Sequence, residues 1–312
     1  LPDLEQEFFE SRRARQASPQ TLDRLRFALN PFRSFLADRF EVCTADRLRV
    51  EHMDAYQRHL TERRTAKGLP LKATTINTRI KSVRTFLDFL HERGFLARRL
   101  SSCLVYVREP KLLPTSVLNH AQVRRLLRQI DTTTALGIRD RAALELFYSS
   151  GIRIGELQRL TPNDIDLERA VAKVYGKGRK ERYVPIGKTA LRWLTSYLFA
   201  VRPFLLARRR ADEEPGKTPP LFLGSSGSLW TFCNIRVRIH KYAKRARLDV
   251  VVTPHTFRRS CATEMIKGNA NLYHVKELLG HETLEMLQHY AKLDITDLQR
   301  THARCHPREK DA

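Results

Sequence analysis

Apolar residues in the first third of the chain recur every three or four positions, the spacing that lines one face of a helix. Leu22, Leu25, Leu29, Phe32 and Leu36 follow Ser18-Pro19, a capping hydroxyl with proline at the first helical position. Pro31 is expected to kink that helix. A second helix is expected from Val50 to Arg63, and a third carries Ile76, Ile80, Val83, Leu87 and Leu90 and stops at Gly94. Residues 105–116, VYVREPKLLPTS, hold two prolines and no period, and read as a linker between a domain over 1–104 and another over 117–312. Helical spacing returns after the linker with one exception. Residues 170–186, AVAKVYGKGRKERYVPI, alternate around a Gly-rich turn, which predicts a β-hairpin extended by a short strand at Asp164–Leu167. Residues 207–220 read as an exposed loop. The expected fold is mainly α: a helical bundle, then a mostly α domain with a small antiparallel β-sheet.

Length agrees with this division, since 312 residues suit two domains at ~100–200 residues each. Charge adds a partner. The chain carries 57 Lys and Arg against 34 Asp and Glu, a net charge of +23. Such an excess calls for a polyanion. No apolar run approaches the ~20 residues of a spanning helix, and the amino end lacks the apolar core of a signal peptide. Nucleic acid is therefore favoured over membrane, because each Lys or Arg set on a phosphate releases condensed counterions. The third helix presents Lys72, Arg79, Lys81 and Arg84 beside its apolar stripe. A helix over residues 235–247 presents Arg236, Lys241 and Lys244, and both faces are expected to meet DNA. The 5 cysteines are scattered without a C-x-x-C pair, which suits a reducing cytoplasm and argues against a zinc ribbon.

Four separated segments of the second domain hold polar groups in unusual places. In SSGIRIGEL a helix should break at Gly151, leaving Arg153 in the turn before the next one. In GKGRKER, Lys177 stands at the hairpin tip between two glycines that let the backbone approach a partner. In TPHTFRRS, Thr253 is a candidate cap with Pro254 at the first helical position. His255 and Arg258 then share a face at the helix's positive end. In LGHETLEMLQHY, His281 sits in a break after Gly280, and Tyr290 lies at the edge of the apolar stripe of the following helix. Alone, each is ordinary. Together they are two arginines, a lysine, two histidines and a tyrosine, with no carboxylate cluster for a metal.

Attack on phosphorus uses every one of these types. The non-bridging oxygens gain charge in the five-coordinate state, and two arginines can fork onto them. Losing a donor aimed at such developing charge costs ~2.7–4 kcal/mol. A phenol with a reference pKa of ~10 needs a base to become a nucleophile. The departing 5′ oxygen needs a proton, which Lys177 is placed to give.

The order GIRIGEL, GKGRKERYVPI, HTFRRSCAT, LGH and then Tyr resembles the tyrosine recombinase family, the phage-integrase and Xer-type enzymes. The resemblance covers residues 117–295 by specific motifs, and the helical first domain more loosely resembles that family's SAM-like core-binding domain. It implies that Arg153 and Arg258 clamp the scissile phosphate, Lys177 is the general acid and His255 handles protons. His281 would hydrogen-bond the phosphate, and Tyr290 would form a 3′-phosphotyrosyl link. No metal, ATP or other cofactor is implied. The implied partner is double-stranded DNA with specific recombination sites, bound by a homotetramer on two sites through the carboxyl-terminal tail in trans. The implied setting is the bacterial cytoplasm, at the nucleoid, and the implied work is integration, excision or resolution of a mobile element. Arg259, Glu282 and the MLQH before Tyr290 depart from common family patterns, but none is one of the six chemical positions. Two alternatives stay open: strand relaxation of the type IB topoisomerase kind, and a catalytically silent DNA-binding protein.

Overall fold

The structure, a computed structural model, describes residues 1–109, 117–176, 180–209 and 218–280. The chain divides into two compact units, Leu1–Lys111 and Leu112–Ala312.

In the first unit the described elements are α1 (Pro2–Ala14), α2 (Pro19–Phe40), α3 (Val50–Glu62), α4 (Ala73–Glu92) and a 3₁₀ turn at Leu100–Cys103. The start of α2 follows from its sequence: the Ser18 hydroxyl accepts the Thr21 N–H at 3.2 Å, and Pro19 needs no partner for the N–H it lacks. Pro31 lies inside α2 without ending it. Leu1, Leu4 and Phe8 keep helical spacing, but a helix as short as α1 needs packing to hold it. Tertiary packing makes it: Phe8 is fully buried, its ring 5.3 Å from those of both Phe86 and Phe89 on α4. Part of the segment expected as a linker belongs to this unit. The Val105 N–H donates to Gln57 Oε1 at 2.8 Å, and Asn77 pairs with both backbone groups of Val107 at 2.8 Å. Those bonds satisfy backbone polar groups that a free linker would leave to water.

The second unit holds α5 (His120–Leu127), α6 (Ala135–Ser150), α7 (Ile154–Arg159), α8 (Lys188–Ser196) and α9 (Arg202–Leu206). A π-helical stretch at Tyr197–Val201 joins the last two, and α10 (Phe232–Arg245), α11 (Pro254–Lys267) and α12 (Leu272–Leu279) follow. Between α7 and α8 the chain forms an antiparallel sheet in the order β1 (Ile165–Asp166), β2 (Val171–Tyr175), β3 (Glu181–Pro185). Its register sets Val174 opposite Arg182. The core gathers on α6, with Phe147 stacked on Phe257 of α11. Asp140 of α6 is wholly buried, yet Arg139, Arg238 and Tyr242 all donate to it. That network turns one face of α10 inward and leaves Arg236, Lys241 and Lys244 exposed on the other. No described helix is long and apolar enough to cross a membrane.

The docking of α1 is open to test. Phe8→Ala should lower the unfolding free energy of the first unit by ~3–5 kcal/mol, the usual cost of emptying a large core site. A chemical denaturation curve that does not move would mean α1 is only loosely attached.

Candidate active site

Arg153 reaches its position because α6 must stop. Gly151 adopts a left-handed φ of +59°, and a Cβ there would come within 2.7 Å of a Leu279 methyl. The chain reverses, and Arg153 becomes the residue that caps α7. Its backbone N–H donates to Glu156 Oε2 at 2.8 Å, and its guanidinium to Glu156 Oε1 at 2.9 Å. Glu156 stands at the third helical position, where a carboxylate can turn back onto the helix start. Arg258 comes from α11, whose start is as the sequence indicates: the Thr253 hydroxyl accepts the Thr256 N–H and Pro254 takes the first helical position.

These arginines meet at the carboxyl end of α12. The last carbonyls of a helix have no partner within it and carry the negative end of the helix dipole. Three guanidiniums take three successive ones. Arg182 Nε donates to Leu278 O at 3.0 Å, Arg258 Nη2 to Leu279 O, and Arg153 Nη2 to Gly280 O at 3.0 Å. Arg258 also donates through Nη1 to Gly151 O at 2.6 Å, tying the end of α6 to the same point. Gly280 closes α12 with a left-handed φ of +61°.

Glu156 is the carboxylate that the described residues bring to this arrangement, and it is almost wholly buried. Burial alone would raise its pKa. The fork from Arg182, at 3.0 and 2.8 Å, and the bonds from Arg153 outweigh that and hold the carboxyl below its ordinary value. One negative charge thus serves two cations, Arg153 and Arg182. Guanidiniums gathered in this way can fork onto the oxygens of an anion.

His255 lies on the exposed side of α11 near this cluster. Partial desolvation and then the charges of Arg258, Arg259 and Arg153 push its imidazole below the ordinary value. At neutral pH it is therefore uncharged and able to accept a proton. Of the six chemical positions the sequence singles out, the structure brings Arg153, His255 and Arg258 together; Lys177, His281 and Tyr290 lie outside the described residues. Glu156 and Arg182 are additions that the sequence reading did not single out, although both fall inside its quoted motifs. The available signal was the i, i+3 spacing of Arg153 and Glu156. Among the described residues no group of three or more His, Cys, Asp or Glu side chains is placed to hold a metal.

The residues expected to meet DNA are sorted unequally. Lys72 and Lys81 are exposed on or beside α4. Arg84 is half-buried, donating to Leu104 O at 3.1 Å and lying over the Tyr106 ring. Arg79 is not on the outer face: only 9% of it is exposed, its guanidinium faces the Phe27 ring at 5.8 Å, and its Nε and Nη1 have no hydrogen-bond partner. The helical period carries position 79 toward α2 rather than toward solvent.

Known proteins resemble this chain over most of its length. Residues 116–296 match the phage integrase family, and residues 6–94 match the phage integrase N-terminal SAM-like domain. The tyrosine recombinase XerC of Oceanobacillus iheyensis is 34% identical over 298 residues, spanning 94% of this chain and 92% of that protein. Two solved structures share the fold. The XerH site-specific recombinase bound to its difH substrate has a TM-score of 0.69 at 19% identity, over 94% of this chain and 81% of that one. The Tn1549 transposon integrase in complex with circular intermediate DNA has a TM-score of 0.66 at 20% identity, over 95% and 98%.

Glu156→Gln should destabilise the second unit at pH 7 by roughly 3 kcal/mol, since breaking a buried pair strands its cations. Because the folded carboxyl titrates below its ordinary 4.5, its contribution is complete above that pH and is lost as pH falls through the depressed value. The gap between wild type and Glu156→Gln should therefore close on acidification. Denaturation midpoints across pH 7 to 3 test this; a gap that widened toward acid would refute the ion-pair assignment.

Proposed function

The chain belongs to the phage integrase family, and on that footing we propose that it is a tyrosine-type site-specific recombinase that cleaves and rejoins DNA strands. The observation that carries this reading is the convergence of Arg153 and Arg258, from separate helices, on one spot beside an uncharged His255. Such a spot suits a phosphodiester whose non-bridging oxygens gain charge during substitution.

In the proposed reaction the Tyr290 hydroxyl attacks phosphorus and its proton passes to His255. The P–O5′ bond breaks, Lys177 protonates the departing oxygen, and Tyr290 is left bearing the 3′ phosphate. His281 hydrogen-bonds the phosphate. Attack by the 5′ hydroxyl of another strand reverses each transfer and releases the phenol. The covalent link conserves the energy of the broken bond, so rejoining needs no ATP. Guanidiniums supply the positive charge that a metal supplies elsewhere.

The proposed substrate is double-stranded DNA carrying specific recombination sites, in the integration, excision or resolution of a mobile element at the bacterial nucleoid. Lys72, Lys81, Arg84, Arg236, Lys241 and Lys244 are proposed to meet its backbone, with Arg79 entering only if Phe27 moves aside. Two sites would be held by a homotetramer, with the segment beyond Tyr290, which includes Ile295 and Leu298, docking on a neighbouring subunit.

Tyr290→Phe should bind its site as wild type does but form no covalent adduct with a nicked suicide duplex, as read on denaturing gels. An adduct in that variant would identify a different nucleophile. With His255 titrating below its ordinary 6.5, the acid limb of the cleavage rate should have its midpoint below that value. An acid limb with its midpoint above pH 6.5 that His255→Asn abolishes would contradict the assignment of this base. Affinity should also fall steeply with salt, with a log–log slope of about 0.9 per phosphate contact. A flat response would remove the case for the basic faces.

A further inference from the structure

Arg182 lies outside the six chemical positions, on β3, yet it is built into the site's framework. Its guanidinium is mostly buried and uses all three nitrogens: Nη1 and Nη2 on the two oxygens of Glu156, and Nε on Leu278 O. Gly280 rests against the same group, and a Cβ there would lie 3.1–3.2 Å from Nη1, Cζ and Nε. Through one planar fork, β3 is fastened to α7, which presents Arg153, and to the end of α12, whose next residue is His281.

The division of Glu156 between two arginines has a further consequence. Its Oε1 accepts from both Arg153 Nη1 and Arg182 Nη1, while Oε2 accepts from Arg182 Nη2 and the Arg153 backbone. With both oxygens engaged, Glu156 holds the Arg153 guanidinium by one nitrogen only. Without Arg182, the carboxylate is free to take Arg153 by two, the preferred geometry of such pairs. That turns the guanidinium inward, away from any phosphate.

We propose that Arg182 is a positioning residue for strand cleavage: by occupying Glu156 and fixing the end of α12, it keeps the Arg153 guanidinium facing the scissile phosphate. This rests on Arg153 being a phosphate clamp, as proposed above. A purely structural ion pair requires none of this geometry, and replacing buried pairs by apolar residues is often neutral for stability. Lysine cannot substitute. It brings one charge without the planar fork that reaches three acceptors.

The test compares wild type with Arg182→Gln and Arg182→Lys in single-turnover cleavage of a suicide duplex carrying the recombination site defined by covalent trapping with wild type. One duplex has a phosphodiester at the scissile position; the other has a methylphosphonate, resolved into its two diastereomers. A methyl in place of a non-bridging oxygen removes the charge that an arginine must neutralise. Both variants should keep their DNA affinity; Arg182→Gln, which strands the buried Glu156, should melt lower, Arg182→Lys should recover most of that loss, and both should cleave the phosphodiester more slowly by on the order of 100-fold, the typical cost of small misplacement. On one methylphosphonate diastereomer the gap to wild type should close. An equal loss on every linkage, or a loss that tracks reduced folding in Arg182→Gln and is absent in a folded Arg182→Lys, would make Arg182 structural only. If wild type itself formed no adduct on the phosphodiester, the recombinase reading would fail first, which separates the two outcomes.

Discussion

The second unit depends on one buried carboxylate shared by two arginines. Glu156 lies at the start of a helix only six residues long, α7, and without it Arg153 and Arg182, which both donate to its Oε1, would lie side by side without the carboxylate they share. Like charges that close repel by several kcal/mol at protein-like dielectric, of order 4 kcal/mol per pair at 4 Å and ε near 20. The shared carboxylate and the helix-end carbonyls offset that repulsion, so the guanidiniums are held side by side in one place.

The same economy appears in the backbone. The end of α6, the start of α7 and the end of α12 are all places where a helix leaves polar groups unsatisfied. Here arginine side chains and Glu156 bond those groups. Gly151 and Gly280, both in left-handed conformation, make the sharp exits that bring the three ends together. Phosphate recognition is thereby built from features that also terminate helices, and changing either glycine would disturb fold and site at once.

Much of this was legible in the sequence. Helical spacing located α2, α3 and α4, the alternation in residues 170–186 located β2 and β3, and Gly and Pro marked the turns that carry Arg153 and His255. The parts that were not legible share a cause. Helix α1 is short, and its docking depends on partners far along the chain, Phe86 and Phe89, against which Phe8 is buried. Arg79 lies one helical step from the exposed face, and only the packing of α2 on α4 decides which way it turns. Arg182 and Glu156 stand 26 positions apart, and no local pattern announces that two charges so separated will meet. The backbone of residues 105–107 looked free because its partners, Gln57 and Asn77, are side chains of distant helices.

The central claim is that Glu156 and Arg182 act as one unit in presenting Arg153. A double-mutant cycle on the cleavage rate constant, with Glu156→Gln, Arg182→Gln and the double variant, tests it most directly. Residues that act as a unit are strongly non-additive. The double variant should cleave no more slowly than the worse of the two single variants. If the two losses instead multiplied, each side chain would be acting on its own, and the shared-carboxylate account would be wrong.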